Sequence, residues 1–163
     1  MKRLLVLFVL GFFGLAASGQ SLTDKLIIKE INRIRKENGL APYVWDSAMT
    51  KAADHHARWV AATGLRSHNE TVAVPGIKTL FSSQDRFAEY GAFGFGENLI
   101  AYYPFFEPAV TAVGTVELWM QSPPHKAMLL APVKGGTPII GVGSATHGDG
   151  RGQSWVLTFG IRP

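Results

Sequence analysis

The side chains with chemical potential sit in three short runs. Glu97 lies in Gly96-Glu97-Asn98-Leu99, and His125 closes Trp119-Met120-Gln121-Ser122-Pro123-Pro124-His125, with a helix-forming stretch between them. Folding can therefore bring this acid and this imidazole to one cleft. His68, in Ser67-His68-Asn69, offers a second imidazole. Two neutral imidazoles and a carboxylate are competent ligands for zinc or another divalent ion, with water completing the coordination. The same groups could polarise water for hydrolysis, Glu97 acting as base beside His125. A triad of Ser122, His125 and an acid is conceivable, although Ser122 is better placed to cap a turn before Pro123.

Each of these residues also has a purely structural reading. A histidine between Ser and Asn is an ordinary turn residue. Glu97 stands at the lip of the apolar Leu99-Ile100-Ala101, where an unpaired buried acid would be costly. Hydrogen bonds must hold it whether it orients a loop or serves a site, and both roles stay open.

The elements that must position these groups follow from periodicity. Leu22 to Glu37 reads as a helix, capped by Ser21 or Thr23, with Ile27, Ile31 and Ile34 at helical spacing, Leu26 widening the stripe, and Asn38-Gly39 as its stop. Leu40 to Asp46 is a short connection anchored by aromatic side chains, and Asp46 offers an N-cap. A second helix runs from about Ser47 to Thr63 and ends at Gly64, its apolar face carrying Met49, Ala52, Ala53, His56, Trp59 and Val60. His56 therefore points inward, and His55, about 100° round the helix, points to solvent. Such adjacent histidines make a poor chelating pair, and the H-E-x-x-H pattern is missing. His68 falls just beyond this helix, in a loop held by a rigid element.

Residues 71–95 carry little periodicity, apart from a turn at Val74-Pro75-Gly76 and a short helix capped by Ser82 or Ser83 and ending at Tyr90. Gly91 to Gly96 admits tight turns with Phe93 and Phe95 as plugs, and it spells no nucleotide-binding loop. Pro108 opens a helix that continues to about Met120 and stops at Pro123-Pro124, with Val110, Val113 and Val116 on its apolar side. His125 then begins a short turn into Ala127-Met128-Leu129-Leu130. Ile139 to Ala145 and Gln153 to Gly160 read as two strands joined by a hairpin at 147–152. Helices first and an antiparallel hairpin last make an α+β domain.

The whole chain narrows the function classes. Lys2 and Arg3 precede an apolar run from Leu4 to Leu15 and the small residues Ala16-Ala17-Ser18-Gly19, the order of a secretory signal peptide. Residues 1–19 are expected to be cleaved, leaving one domain over 20–163 and no stable membrane span, since spanning takes about 20 apolar residues. Setting Lys2 and Arg3 aside lowers the formal charge from +4 to +2, too little and too scattered for nucleic acid. There is no cysteine. Disulfide stapling, thiol catalysis and cysteine-ligated zinc are thereby excluded, and stability must come from packing.

Taken in order, Ile31-Asn32-Arg33-Ile34-Arg35 with Gly39-Leu40, Val44-Trp45-Asp46, the Ala-rich helix with His55-His56, Ser67-His68-Asn69, Gly96-Glu97-Asn98-Leu99, Trp119 to His125, Gly141-Val142-Gly143 and the aromatic strand ending Phe159-Gly160 resemble the CAP superfamily. This group comprises cysteine-rich secretory proteins, antigen 5 and pathogenesis-related proteins, also called SCP domains. The Trp-Met-x-Ser-Pro-x-His form is similar to its bacterial branch. The resemblance implies a three-layer α-β-α sandwich with a central antiparallel sheet and a cleft lined by two histidines and two acids. His68 and Glu97 match the first histidine and the acid of the G-E-N motif, and His125 matches the bacterial S-P-x-H histidine. Ser122 stands where relatives often place a second Glu, and Glu117 is not a clear substitute.

Three functions follow as expectations. The first is a secreted or periplasmic, noncatalytic binding module for a lipid, glycan or peptide, its cleft able to hold a divalent metal weakly through His68 and His125 with Glu97 nearby. Aromatic residues around Phe93, Phe95, Tyr102, Tyr103, Phe105 and Phe106 would suit an apolar ligand or simply pack. The second is a metal-assisted hydrolase or protease with Glu97 as base. The third is a structural or interaction protein of the cell envelope.

Overall fold

A computed structural model of the protein describes residues 22–102, 112–150 and 152–163. The expected signal segment 1–19, and Tyr103, Phe105, Phe106 and Pro108, lie outside them.

In chain order the elements are α1 (Leu22–Glu37), β1 (Val44–Trp45), α2 (Ser47–Thr63), α3 (Ser83–Glu89), β2 (Gly94–Tyr102), α4 (Ala112–Gln121), α5 (Pro123–Leu129), β3 (Thr137–Thr146) and β4 (Gln153–Arg162). The strands form one sheet in the order β1-β3-β4-β2. β3, β4 and β2 are antiparallel neighbours, and the two residues of β1 add a parallel edge beside β3. The connection expected at 40–46 thus donates a short strand. A three-layer α-β-α sandwich results, with a sheet antiparallel throughout except at that edge.

Strand alternation divides the core. On one face, Ile140, Val142, Trp155, Leu157 and Phe159 pack with α1, α4 and α5 through Ile27, Ile31, Val116, Trp119 and Leu129. On the other face, Leu99 and Val156 meet Ala53, Ala57, Trp59 and Val60 of α2, and Ile139 meets Met49 and Phe87. Successive side chains of a strand point to opposite faces, so both helical layers share each strand. α2 lies so close to β3 that a Cβ on Gly141 would meet the backbone of Met49 and Thr50, and one on Gly143 the backbone of Ala53 and Asp54.

The caps behave as their chemistry requires. Asp46 accepts from the N–H groups of Ala48 and Met49, and Gly64 ends α2 in the left-handed conformation at φ 70°. Ser82 and Asp85 form a reciprocal capping box at the start of α3.

Several expectations need correction. Leu26 and Val113 are 46% and 45% exposed, so they rim the α1–α4 contact instead of filling it. Of the Gly91–Gly96 stretch where turns were expected, Gly91 does turn at φ 68°, but Gly94 to Gly96 open the strand β2 with a bulge between them, and Phe93 and Phe95 are exposed rather than plugged in. Here long-range pairing with β4 outweighs the local freedom of glycine. His125 lies within α5, because the prolines that stop α4 stand at N1 and N2 of the next helix, where a missing N–H costs nothing. Ser122 is the N-cap of α5, yet its side chain makes no capping bond.

Candidate functional site

β2 brings Glu97 to the sheet face covered by α2 and α3 and leaves the next residue, Asn98, on the opposite face. From there the side-chain amide of Asn98 donates to the backbone carbonyl of His125 at 3.0 Å. One strand thus fixes both the acid and the start of α5. The loop after α2 returns His68 to the same place, with Nδ1 of His68 2.9 Å from Oε1 of Glu97. The other oxygen of Glu97 accepts from Nη2 of Arg86 at 2.8 Å.

A cavity of about 320 Å³ opens beside this pair, lined by Arg66, His68, Leu99, Ile100 and His125. His68 and His125 therefore face one cleft. Glu97 stands behind it, its side chain only 2% exposed, against 54% for His68. Glu117 is exposed on α4, and among the described residues no acid lines the cavity. Of the four-residue set that the resemblance implies, the described residues bring His68 and His125 to the cleft and Glu97 behind it.

Electrostatics follow this arrangement. Burial pushes the Glu97 carboxyl up, but the hydrogen bond from His68 and the charges of His56 and Arg86 pull it further down, so it stays ionised. The same hydrogen bond raises His68 above the ordinary imidazole value against an opposing burial effect. His125 is lowered, first by burial and then by the charge of His68. A neutral His125 therefore stands beside a His68 that holds its proton more readily.

Behind the cleft lies a buried ionic network that the sequence did not announce. Glu70, from the loop after α2, is 1% exposed and faces both helical histidines. Its oxygens lie 3.1 Å from Nδ1 of His56 and 3.4 Å from Nε2 of His55, and it accepts from the N–H of Leu80. Burial pushes its carboxyl up, but these bonds prevail and hold it at about 2. Arg86 spans the two acids, with Nη1 3.4 Å from Glu70 and Nη2 donating to Glu97 and to the carbonyl of His68. Nε2 of His56 meets the carbonyl of Ser67 at 2.8 Å, and its ring stacks on Trp59 at 5.6 Å. The expectation of a solvent-facing His55 is overturned: it is 3% exposed and bonded through Nδ1 to the hydroxyl of Tyr90. α3 and the 64–82 loop fold over that side of α2 and bury it.

Glu70 and Arg86 come from the stretches with the least periodicity, so spacing could not pair them. The one available signal was that an acid beside an apolar run needs a cation.

The donor set bears on a metal. His68 has Nε2 remaining once Nδ1 is engaged, and Glu97 occupies the position of an outer carboxylate that orients a ligating imidazole. Among the described residues no group of three His, Asp or Glu side chains is placed to hold an ion. Two imidazoles fit a weakly held ion and fall short of the four ligands of a structural zinc site.

Such a sandwich, with a histidine-bonded glutamate under a two-histidine cleft, defines a class. The model of the cysteine-rich secretory protein family, CAP, matches residues 28–159, and the chain belongs to that family. It does so without a cysteine. Among solved structures, an outer surface protein of Borrelia burgdorferi superposes with a TM-score of 0.64 at 20% identity, covering 89% of this chain and 96% of that one. An extracellular SCP-domain protein of Bacillus anthracis gives 0.61 at 18% identity, covering 85% of this chain but 40% of its own length. A cysteine-rich secretory protein of Staphylococcus aureus gives 0.53 at 16% identity, over 86% of this chain and 38% of that one. The chain thus spans about two fifths of the latter two. These likenesses establish the fold. No curated protein matches the chain.

Proposed function

We propose that the protein is an exported, noncatalytic binding module, with residues 1–19 its signal peptide and 20–163 one extracellular or periplasmic domain. Its ligand, a lipid, glycan or peptide, sits in the cleft of His68 and His125, which can also hold a divalent ion such as zinc weakly. Among the described residues no helix is long and apolar enough to cross a membrane. Relatives described as extracellular or outer surface proteins support export.

One observation carries the preference for binding over hydrolysis. Both oxygens of Glu97 are committed, one to His68 and one to Arg86. A base must reach the proton it removes, and this carboxylate is tied down behind the histidine instead. His68 and His125 are left to face a ligand as hydrogen-bonding groups.

Two measurements test the reading. Zinc titration of the purified protein by calorimetry should give weak binding that the His68→Ala, His125→Ala double variant abolishes; unchanged affinity in that variant rejects metal binding through these imidazoles. Mass spectrometry of small molecules carried through purification, alongside turnover assays on peptide and ester libraries, separates binder from enzyme. Reproducible turnover abolished by Glu97→Gln would overturn the noncatalytic assignment.

A further inference from the structure

We propose that Arg35, a buried residue of α1, is a positioning residue for His125: it grips the far end of α5 and so sets where that imidazole stands in the cleft. The proposal rests on the cleft being a ligand site, and it adds a residue that shapes the site without lining it.

Packing alone does not place α5. Of its seven residues Leu129 alone is buried, while His125 and Met128 are half-buried and the rest exposed. Its junction with α4 at Ser122 carries no side-chain capping bond. A helix with so few buried contacts is held weakly against tilting or local opening, so polar anchors from neighbouring elements must supply the rest.

Among the described residues two side chains hold its backbone closely. At the near end the amide of Asn98 donates to the carbonyl of His125 at 3.0 Å. At the far end Nη1 of Arg35 donates to the carbonyls of Leu129 at 2.7 Å and Ala131 at 3.1 Å. Carbonyls at a helix end lack partners within the helix, and a cation suits the negative end of its dipole. Leu129 lies four residues, about 6 Å, beyond His125 along the helix. Two carbonyls fixed that far apart fix the axis. With one alone, α5 can pivot and swing the His125 ring.

Arg35 is itself held rigidly. Four residues beyond Ile31 on the apolar stripe of α1, it turns inward by helical phase and is 1% exposed. Its guanidinium lies 3.9 Å over the Tyr43 ring, and Nε donates to the carbonyl of Ala41 at 2.8 Å. Asn32 brackets Tyr43 in turn, donating to its carbonyl and accepting from its N–H, both at 2.8 Å. The Tyr43 hydroxyl is 3.5 Å from the carbonyl of Met128, too far to anchor α5 in place of the arginine. The planar fork of Arg35 thus ties the connection at 41–43 to α5, a task that a single ammonium cannot repeat.

The test compares the full chain carrying Arg35→Met or Arg35→Lys with Ile31→Val, which thins the same core and leaves these carbonyl bonds in place. In NMR spectra of the histidine rings, Arg35→Met should shift and broaden the His125 resonances, while those of His56 and His68, held by Glu70 and Glu97, stay in place. Arg35→Lys should move His125 part of the way, and Ile31→Val should move none of the three. Zinc affinity by calorimetry should fall about tenfold or more in Arg35→Met, the scale for groups that orient a ligating imidazole, and hold in Ile31→Val. His125 resonances that stay in place in both arginine variants, or that move as far in Ile31→Val, overturn the proposal. Should Arg35→Met fail to fold, Arg35→Lys decides by the same comparison. Zinc binding that is equal in wild type and arginine variants overturns the positioning role and leaves the metal-binding cleft standing. No zinc binding by the wild type, with His125 displaced as expected, removes the metal reading and leaves the hold of Arg35 on His125 standing.

Discussion

Nδ1 of His68 lies 2.9 Å from Oε1 of Glu97, joining an exposed loop to a carboxylate buried on β2. Because the acid is also held by Arg86, the position of the cleft histidine is set by the interior and not by the loop that carries it.

The two cleft imidazoles should titrate apart. The hydrogen bond to Glu97 raises His68, while burial and the charge of His68 lower His125. NMR titration of the ring protons should therefore find His68 above His125. Glu97→Gln should bring His68 down, and His68→Gln should bring His125 up by removing a neighbouring positive charge. A His125 that does not respond to His68→Gln would show that the two rings do not share a field.

Arg86 is fully buried and is shared by two buried acids. Arg86→Met strands both carboxylates. Breaking a buried ionic group from one side costs about 3–5 kcal/mol, so urea unfolding should show a loss of that order. Arg86→Lys should recover only part of it, since one ammonium cannot span both acids. A loss close to zero would mean that the acids find other partners.

Acid should dismantle the same network. Glu70 is held at about 2 when folded, against an ordinary 4.5. A depressed carboxyl contributes stability that is complete above its unfolded value and disappears as pH falls through its folded value. Circular dichroism should thus record stability dropping between about pH 4.5 and 2. Glu70→Gln should be less stable at pH 7 and lose less of its stability across that window. Parallel pH curves for the two proteins would remove Glu70 from the account.

Gly143→Ala would drive a methyl group into the α2 backbone at Ala53 and Asp54. Overpacking of this kind costs about 1–3 kcal/mol, and thermal denaturation should show it. The displaced helix carries His55 and His56, so broadened His68 resonances should accompany the lower melting temperature. Unaltered stability would indicate a looser contact between α2 and β3.

Much of the scaffold was legible in the sequence. The apolar spacing of Ile27 and Ile31, the cap at Asp46, the stop at Gly64 and the hairpin at 147–152 are local signals, and each stands where it was read. β2 was not legible, since its glycines favour turns locally and only the ladder with β4 holds them extended. His55 was misread for a related reason: helical phase gives the angle of a side chain, not what later folds over it.

The order of motifs in the chain marked His68, Glu97 and His125 as the groups with chemical potential, because residue type is written in the sequence and competence for chemistry follows from type. Which of them faces the cleft was decided by tertiary structure. Glu97 was drawn behind the cleft because a carboxylate leaving water must find a cation, and Arg86 reaches it only after α3 docks beside β2. The strand order β1-β3-β4-β2 is likewise a property of the assembled sheet, since no strand carries in its own residues the knowledge of which neighbour it will pair with.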